Sequence, residues 1–304
     1  MEDDRSMLLT FARAVGTVQP RAFLLENVTG LMHGRLANHM EYVIMLMSHP
    51  SRLPRPGQAW RDHLGELRLL APDSAPLEVS YQVAYVTVNA ADFGVPQIRK
   101  RVFIVGFRRD LSVEWVPPKP THSREALLSD QWLTGDYWVR HGVDSSGLPR
   151  PKSADRLPNL SVPQREPWET VRDALQGLPE LGSRGAIDTQ HVLVSGARCY
   201  RGHTGSDVDS PAKSLKAGVH GVGGGENMLR DRNGQIRYFT ERECARLQTF
   251  PDSWVFHGSW SSITRQMGNA VPVKLATAVA QSLKATLSRE RCSRDASQAL
   301  APPH

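Results

Sequence analysis

Residues 22–30, Ala22-Phe23-Leu24-Leu25-Glu26-Asn27-Val28-Thr29-Gly30, carry the first decision about the fold. An apolar run of this length, closed by polar and turn-forming residues, reads as a buried strand whose carboxyl end presents Glu26 and Asn27. Upstream, Leu8, Phe11, Ala12, Val15 and Val18 recur at the i, i+3/i+4, i+7 spacing of an amphipathic helix over 5–18, which Pro20 ends. Downstream, helical patterning over 38–47 is broken by the Pro- and Arg-rich patch 50–56 and returns over about 59–70. Residues 79–88 are β-rich, 89–96 are turn-like, and 101–107 form a third strand that is apolar on both faces and hence central or well covered. Helix, strand, helix, strand, loop, strand is the grammar of an α/β sheet.

From about 108 to 235 the texture changes. Pro, Gly, Ser, Trp and charged residues dominate, and periodicity survives only near 168–178. A stretch so long and loop-rich inside a compact domain implies a functional module of its own. Order returns at Arg237. Thr240 and Glu243 fit a capping box that opens a short helix to about Gln248. A last helix is predicted over 273–287, with Leu275, Val279, Leu283 and Leu287 on one stripe and Pro272 near its first turn. The polar residues after Ser288 are expected to be a disordered tail.

With 304 residues the chain has room for two domains, or for one domain with an insertion. Hydrophobic residues at 40% and charged residues at 22% are ordinary for a soluble globular protein. No stretch approaches the roughly 20 apolar residues of a membrane span. The opening Met1-Glu2-Asp3-Asp4 is the opposite of a signal peptide, so a cytoplasmic, nucleoid-associated address is expected. Cys199, Cys244 and Cys292 are too few and too scattered for a disulfide framework or a zinc site, and each reads as an ordinary thiol. The net charge of +6 and pI of 9.4 permit a polyanionic partner without requiring one.

Four places could carry chemistry. Glu26 sits at the carboxyl end of what reads as a parallel strand, where open α/β sheets place their ligand crevice; the alternative is that Glu26, Asn27 or Thr29 caps the next helix. Gln97, Arg99 and Arg101 fall at i, i+2, i+4, so an extended chain points all three to one face, where they suit a carbonyl, carboxylate or phosphate. Between 198 and 225, Arg198, Tyr200, Arg201, His203, Lys213, Lys216 and His220 interleave cations with aromatics ahead of Gly223-Gly224-Gly225. Such loops fit phosphate and base-edge contacts, although the glycine triplet alone matches no phosphate-binding fingerprint. Gly268-Asn269-Ala270-Val271-Pro272 is a tight turn before a helix, which either caps that helix or lines a pocket.

In this order, the segments resemble the DNA cytosine-5 methyltransferases of bacterial restriction-modification systems. The match runs through Phe23-Leu-Leu-Glu-Asn-Val-Thr-Gly-Leu31 and Asn89-Ala-Ala-Asp-Phe-Gly-Val-Pro-Gln-Ile-Arg-Lys-Arg101. It continues in Arg237-Tyr-Phe-Thr-Glu-Arg-Glu-Cys-Ala-Arg-Leu-Gln-Thr-Phe-Pro-Asp252 and Gln266-Met-Gly-Asn-Ala-Val-Pro272. It covers about 3–287, and four ordered strings are far more specific than any one. The resemblance implies methyl transfer from S-adenosylmethionine to carbon 5 of a cytosine flipped out of double-stranded DNA. It assigns Glu26 to the base's N3 and exocyclic amine, Arg101 with Arg99 to the base O2 and the active-site loop, and Asn269 to the cofactor turn. Asn27, Gln97, Arg198, Lys213, Lys216 and Arg237 become candidates for contacting base or DNA.

The implied fold is a partial Rossmann-like class I methyltransferase sheet plus a loop-rich target recognition domain. Residues 1–109 would be the C-terminal half of the catalytic domain, 110–236 the recognition domain, 237–287 a return to the catalytic domain, and 288–304 the tail. The family's glycine-rich cofactor loop and Pro-Cys nucleophile would precede Met1, since the three cysteines here follow Arg198, Glu243 and Arg291. Cys244, inside a capped helix, is not the nucleophile. Three readings follow: one subunit of a split enzyme completed by an N-terminal partner chain, an incomplete copy, or a non-catalytic DNA-binding protein. A bare edge on the strand 22–25 also predicts a chain that is poorly stable alone or self-associates.

Overall fold

The computed structural model describes residues 6–32, 37–70, 79–159, 164–199, 204–217 and 227–299. Tyr200, Arg201, His203, His220 and Gly223 to Gly225 lie outside them. Two compact units emerge, one of residues 1–88, 100–117 and 280–304, the other of 89–99 and 118–279.

The first unit follows the predicted order closely. Helix α1 (Ser6–Val18) leads into β1 (Ala22–Val28), then α2 (Ala37–Ser48), α3 (Trp60–Arg68), β2 (Tyr81–Asn89) and β3 (Lys100–Arg108). The sheet order is β1-β3-β2, which makes β3 central as its two-sided apolar pattern requires. Alternation along β3 divides the core. Val102 and Ile104 pack with Phe23, Tyr42, Leu46 and Leu67 against the helices α1 to α3. Val105 and Phe107 join Trp115, Leu283 and Leu287 in a separate cluster.

Two expectations about β1 need correction. It pairs antiparallel with β3, from Ala22 opposite Phe107 to Val28 opposite Arg101, and no parallel partner occurs among the described residues. It is also not a buried strand. Phe23 is covered, but Leu24 and Val28 are 39% and 53% exposed, the mark of an edge. What anchors β1 is Phe23, whose ring lies over Gly106 directly across the ladder: a Cβ on Gly106 would fall 2.1 Å from the ring. Phe11 and Tyr81 hold that ring from two sides at 5.8 and 5.2 Å between centroids.

The second unit is built from short pieces, as its composition predicts. Strand β4 (His122–Ser123), helices α4 (Arg124–Ser129) and α5 (Asp136–Arg140) and strand β5 (Glu166–Pro167) come first, with β4 and β5 parallel. Helices α6 (Val171–Leu175) and α7 (Arg184–Asp188) follow, then β6 (Ser206–Asp207), β7 (Met228–Arg230) and β8 (Ile236–Tyr238) in one small sheet. Helices α8 (Glu241–Leu247) and α9 (Trp260–Asn269) complete it. The expected capping box is present: Thr240 accepts from the Glu243 amide and Glu243 accepts from the Thr240 amide. Residues 237–279 group with 118–236 in this unit, whereas the sequence reading returned 237–287 to the catalytic domain.

Helix α10 (Val273–Ala299) begins in the second unit and its later turns belong to the first. It runs well past Leu287, so the expected disordered tail is helical as far as Ala299. Nothing between Ser288 and Ala299 breaks a helix: Arg, Glu, Ala, Ser and Gln continue it, and the first proline is Pro302.

Candidate active site

The two strongest candidates meet in the first unit. Glu26 lies on β1 and Arg101 on β3, two steps apart along the antiparallel register, so both side chains emerge on one face. Arg101 Nε stands 2.8 Å from Glu26 Oε1, with 13% and 27% of the two side chains accessible. Arg101 Nη1 donates to the carbonyl of Lys100 at 2.8 Å, while Nη2 has no partner among the described residues. Burial pulls the Arg101 guanidinium below its ordinary pKa, and the Glu26 carboxylate pushes it back up. The pair thus offers a reachable carboxyl group beside a guanidinium with a donor to spare. A heterocycle with an amide-like edge could be polarised here by contacts on two of its atoms. Asn27, exposed next to Glu26, accepts from its neighbour's amide, Val28 N to Oδ1, at 2.8 Å.

Gln97 and Arg99 are placed differently. Ahead of Lys100, residues 90–93 form a 3-10 turn capped by Gly94 at φ +70°, after which Gln97 makes a parallel bridge to Ala212. Burial alternates from Gln97 to Arg101 as the i, i+2, i+4 spacing expects, with Ile98 and Lys100 exposed between them; what differs is the partner each side chain meets. Gln97 is fully buried, donating to the Leu247 carbonyl at 3.1 Å and accepting from the Leu215 amide at 3.0 Å. Arg99, 1% exposed, fans its guanidinium over backbone. Nη2 donates to Gly268 and Ala270 carbonyls at 2.6 and 2.9 Å, and Nη1 to the Leu215 carbonyl at 3.0 Å. These two side chains hold the second unit together instead of facing a ligand.

What Arg99 grips is the turn of Asn269. Asn269 is the exposed last residue of α9. Gly268 before it packs so tightly that a Cβ would lie 2.2 Å from the Ala217 amide nitrogen. The sequence shows a glycine there but not its reason, which is close approach of two backbones. Beside the turn is an apolar hollow of about 470 Å³ bordered by Phe250, Trp254, Phe256, Met267 and Ala270.

The other DNA candidates scatter. Arg198 is exposed and makes no hydrogen bond or ion pair among the described residues. Lys213 Nζ donates to Thr204 at 3.0 Å. The Lys216 backbone is clamped by Asn227, which is fully buried and was not singled out from sequence. Arg237 is taken by a two-pronged ion pair with Glu243, at 2.6 and 2.5 Å, and so braces the capping box. Cys244 is fully buried within α8, where burial, with Glu243 and Glu241 nearby, drives its thiol far above the ordinary range. Buried and held in the thiol form, it lacks the access and the low pKa of a reactive cysteine, and no cluster of metal-binding side chains occurs among the described residues.

Comparison with known proteins agrees with the ordered strings. The pattern of the C-5 cytosine-specific DNA methylases matches residues 77–285. Type II methyltransferase M.NgoFVII of Neisseria gonorrhoeae is 28% identical over 288 residues, covering 93% of this chain and 64% of its own length. M.MthTI of Methanothermobacter thermautotrophicus is 31% identical over 242 residues, 76% of this chain and 64% of its own length. M.Eco47II of Escherichia coli is 26% identical over 294 residues, 93% and 58% respectively. The chain thus spans 58–64% of the length of these relatives. Among solved structures, a protein described as a DNA modification methyltransferase encoded within an E. coli prophage aligns with TM-score 0.52 and 19% identity. The alignment covers 94% of this chain and 76% of that one, and it speaks to fold alone.

Proposed function

The chain belongs to the C-5 cytosine-specific DNA methylase family, and from that membership we propose that it is the base-activating and DNA-reading part of a restriction-modification methyltransferase. The observation that carries the proposal is the Glu26–Arg101 pair, a partly accessible carboxyl group and a guanidinium with an unengaged Nη2 on adjacent strands. Addition of a thiolate to carbon 6 of cytosine needs the ring polarised. Glu26 serves N3 and the exocyclic amine, and Arg101 Nη2 donates to O2, so charge that builds on the ring meets donors already in place. Double-stranded DNA is the substrate, read by the loop-rich part between 110 and 236. No helix among the described residues is long and apolar enough to cross a membrane.

Membership implies S-adenosylmethionine as the methyl donor, the group the family supplies to carbon 5. Its sulfonium, amino-acid group and ribose diol call for carboxylates as well as an apolar slot. The hollow beside Asn269 is lined by Phe250, Trp254, Val255, Phe256, His257, Gln266, Met267 and Ala270, with no carboxylate among them. These residues do not by themselves fit the cofactor. Its remaining contacts, like the cysteine nucleophile, come from N-terminal family segments carried on a partner polypeptide or on a longer form of this chain.

The experiment is transfer of a labelled methyl group to DNA by this chain co-expressed with a polypeptide bearing the family's cofactor loop and Pro-Cys segment. The complemented pair turns over and this chain alone does not. Glu26→Gln lowers the rate by about 100-fold or more, the scale of a lost general acid. Undiminished transfer by that variant removes Glu26 from the role assigned to it.

A further inference from the structure

The second unit contains a cavity of about 610 Å³ that shares no residue with the Glu26–Arg101 pair. Its walls include Leu127, Trp132, Trp138 and Trp168, three of the chain's seven tryptophans, with Arg124 and Arg230 among the polar residues that border it. The indoles are fixed in place. Trp132 meets Trp138 nearly edge-on, 5.5 Å between centroids and 73° between planes. Trp138 donates its ring N–H to the Gln131 carbonyl at 2.5 Å, and Trp168 donates to Asp92 at 2.9 Å.

Charge decides what such a box accepts. Asp209, also on the lining, would be raised by its burial, but hydrogen bonds from Arg172 and Arg232 outweigh that and hold it ionised below its ordinary pKa. With Arg172 at 2.6 Å and Arg232 at 2.9 Å, its negative charge is more than matched. Of the other two lining carboxylates, Asp207 pairs with Arg230 at 3.3 Å and Asp231 accepts from the Gln235 amide at 2.8 Å. Arg232 also lies 5.0 Å over the Trp138 ring, so that face is closed to any ligand and the partly exposed Trp132 and Trp168 are the rings left for contact. Arg124 makes no ion pair among the described residues and touches only the Ser153 hydroxyl, at 3.4 Å. A tryptophan-walled pocket with an unpaired guanidinium on its lining suits a neutral planar ring that carries an anionic group. Its volume lies within the range of small-molecule sites.

We propose that this cavity takes the base of an unstacked nucleotide in the bound DNA, with the adjoining phosphate on Arg124. It is a second base-holding site, separate in residues from the one that activates cytosine, and it rests on the reading that DNA is the substrate. Stacking on fixed aromatic rings tolerates any base, so the pocket recognises the extruded state and not the sequence. DNA in which a base is already out of the helix avoids the unstacking cost and binds more tightly than paired DNA.

The test compares full-length protein binding to a fully paired duplex, to the same duplex with one bulged 2-aminopurine, and to that duplex with an abasic bulge. The bulged base is expected to tighten binding roughly tenfold or more, the scale of one stacked base. Its fluorescence is quenched on binding, and the abasic bulge loses the gain. Trp132→Leu and Arg124→Glu both bring the bulged duplex back toward the paired value. Arg124 is exposed, so its variant keeps the test valid if Trp132→Leu fails to fold. Equal affinity for bulged and paired duplex, with unquenched 2-aminopurine, overturns the pocket and leaves DNA binding intact. Failure to bind any of the three overturns the pocket and the family-based reading of the substrate together.

Discussion

Replacing Arg99 with methionine removes the centre of the second unit while nearly preserving side-chain bulk. Arg99 is 1% exposed, and its guanidinium serves three backbone carbonyls and one hydroxyl. The bonds to Leu215 and Gly268 are buried; those to Ala270 and Ser214 are partly so. A buried acceptor left without a donor costs about 1–3 kcal/mol, and a partly hydrated one less. Two buried and two partial losses, summed with allowance for non-additivity, predict destabilisation of about 3–5 kcal/mol. At a urea slope of about 2–3 kcal/mol/M the midpoint falls by roughly 1–2 M. Arg99→Lys keeps the charge but not the planar fork, and one ammonium group cannot serve both segments, so an intermediate loss of about 2 kcal/mol is expected. Tryptophan emission reports the transition directly, because Trp132, Trp138, Trp168, Trp254 and Trp260 all lie in this unit. Arg101→Met is the control: its partly accessible pair with Glu26 predicts a loss below about 1 kcal/mol, with methyl transfer abolished in the complemented enzyme. Arg99→Met unfolding within about 1 kcal/mol of the parent, or Arg101→Met costing as much, would refute the division between a structural and a substrate-facing arginine.

Gly106→Ala forces a methyl group into the Phe23 ring, which Phe11 and Tyr81 keep from yielding; a loss of about 1–3 kcal/mol is expected, and an unchanged thermal midpoint would sink the argument. Acid sensitivity follows from three histidines. Burial holds His63, His122 and His191 below their ordinary pKa, so each is protonated more readily in the unfolded chain. Stability is full above the unfolded value near 6.5 and declines as pH falls below it, by at most about 1.4 kcal/mol per pH unit for each histidine. Urea midpoints measured from pH 7 to 5 show the decline, and His191→Gln, which keeps a partner for Thr240, makes it shallower. A flat profile across that window contradicts the assignment.

Most of the first unit was legible because its elements are long enough for periodicity to show. The helix over 5–18 and the strand over 101–107 appear within a residue of their predicted ends, and the two-sided apolar pattern of the latter announced its central place. The Thr240–Glu243 box was equally readable, since a cap is a local pattern. The second unit was not. Its helices α4, α5, α6 and α7 run five or six residues, too short to establish a period. Their order depends on distant partners such as Asp209, which gathers Tyr137, Arg172 and Arg232 from three separate segments.

At the candidate site the division is sharper. Sequence by itself determined the family, through four ordered strings, and with it marked Glu26 and Arg101 as candidates for its chemistry. It could not separate Arg101 from Arg99 and Gln97, because spacing equates residues that alternate along an extended chain. Tertiary structure separated them. Gln97 and Arg99 run beside the segment around Ala212, so their side chains bond to backbone of Leu215, Leu247, Gly268 and Ala270 and are buried there. Arg101, two residues later on β3, meets Glu26 across an antiparallel ladder. Which arginine is buried on backbone and which pairs with Glu26 is thus set by contacts across more than 100 residues of chain, beyond the reach of any local pattern.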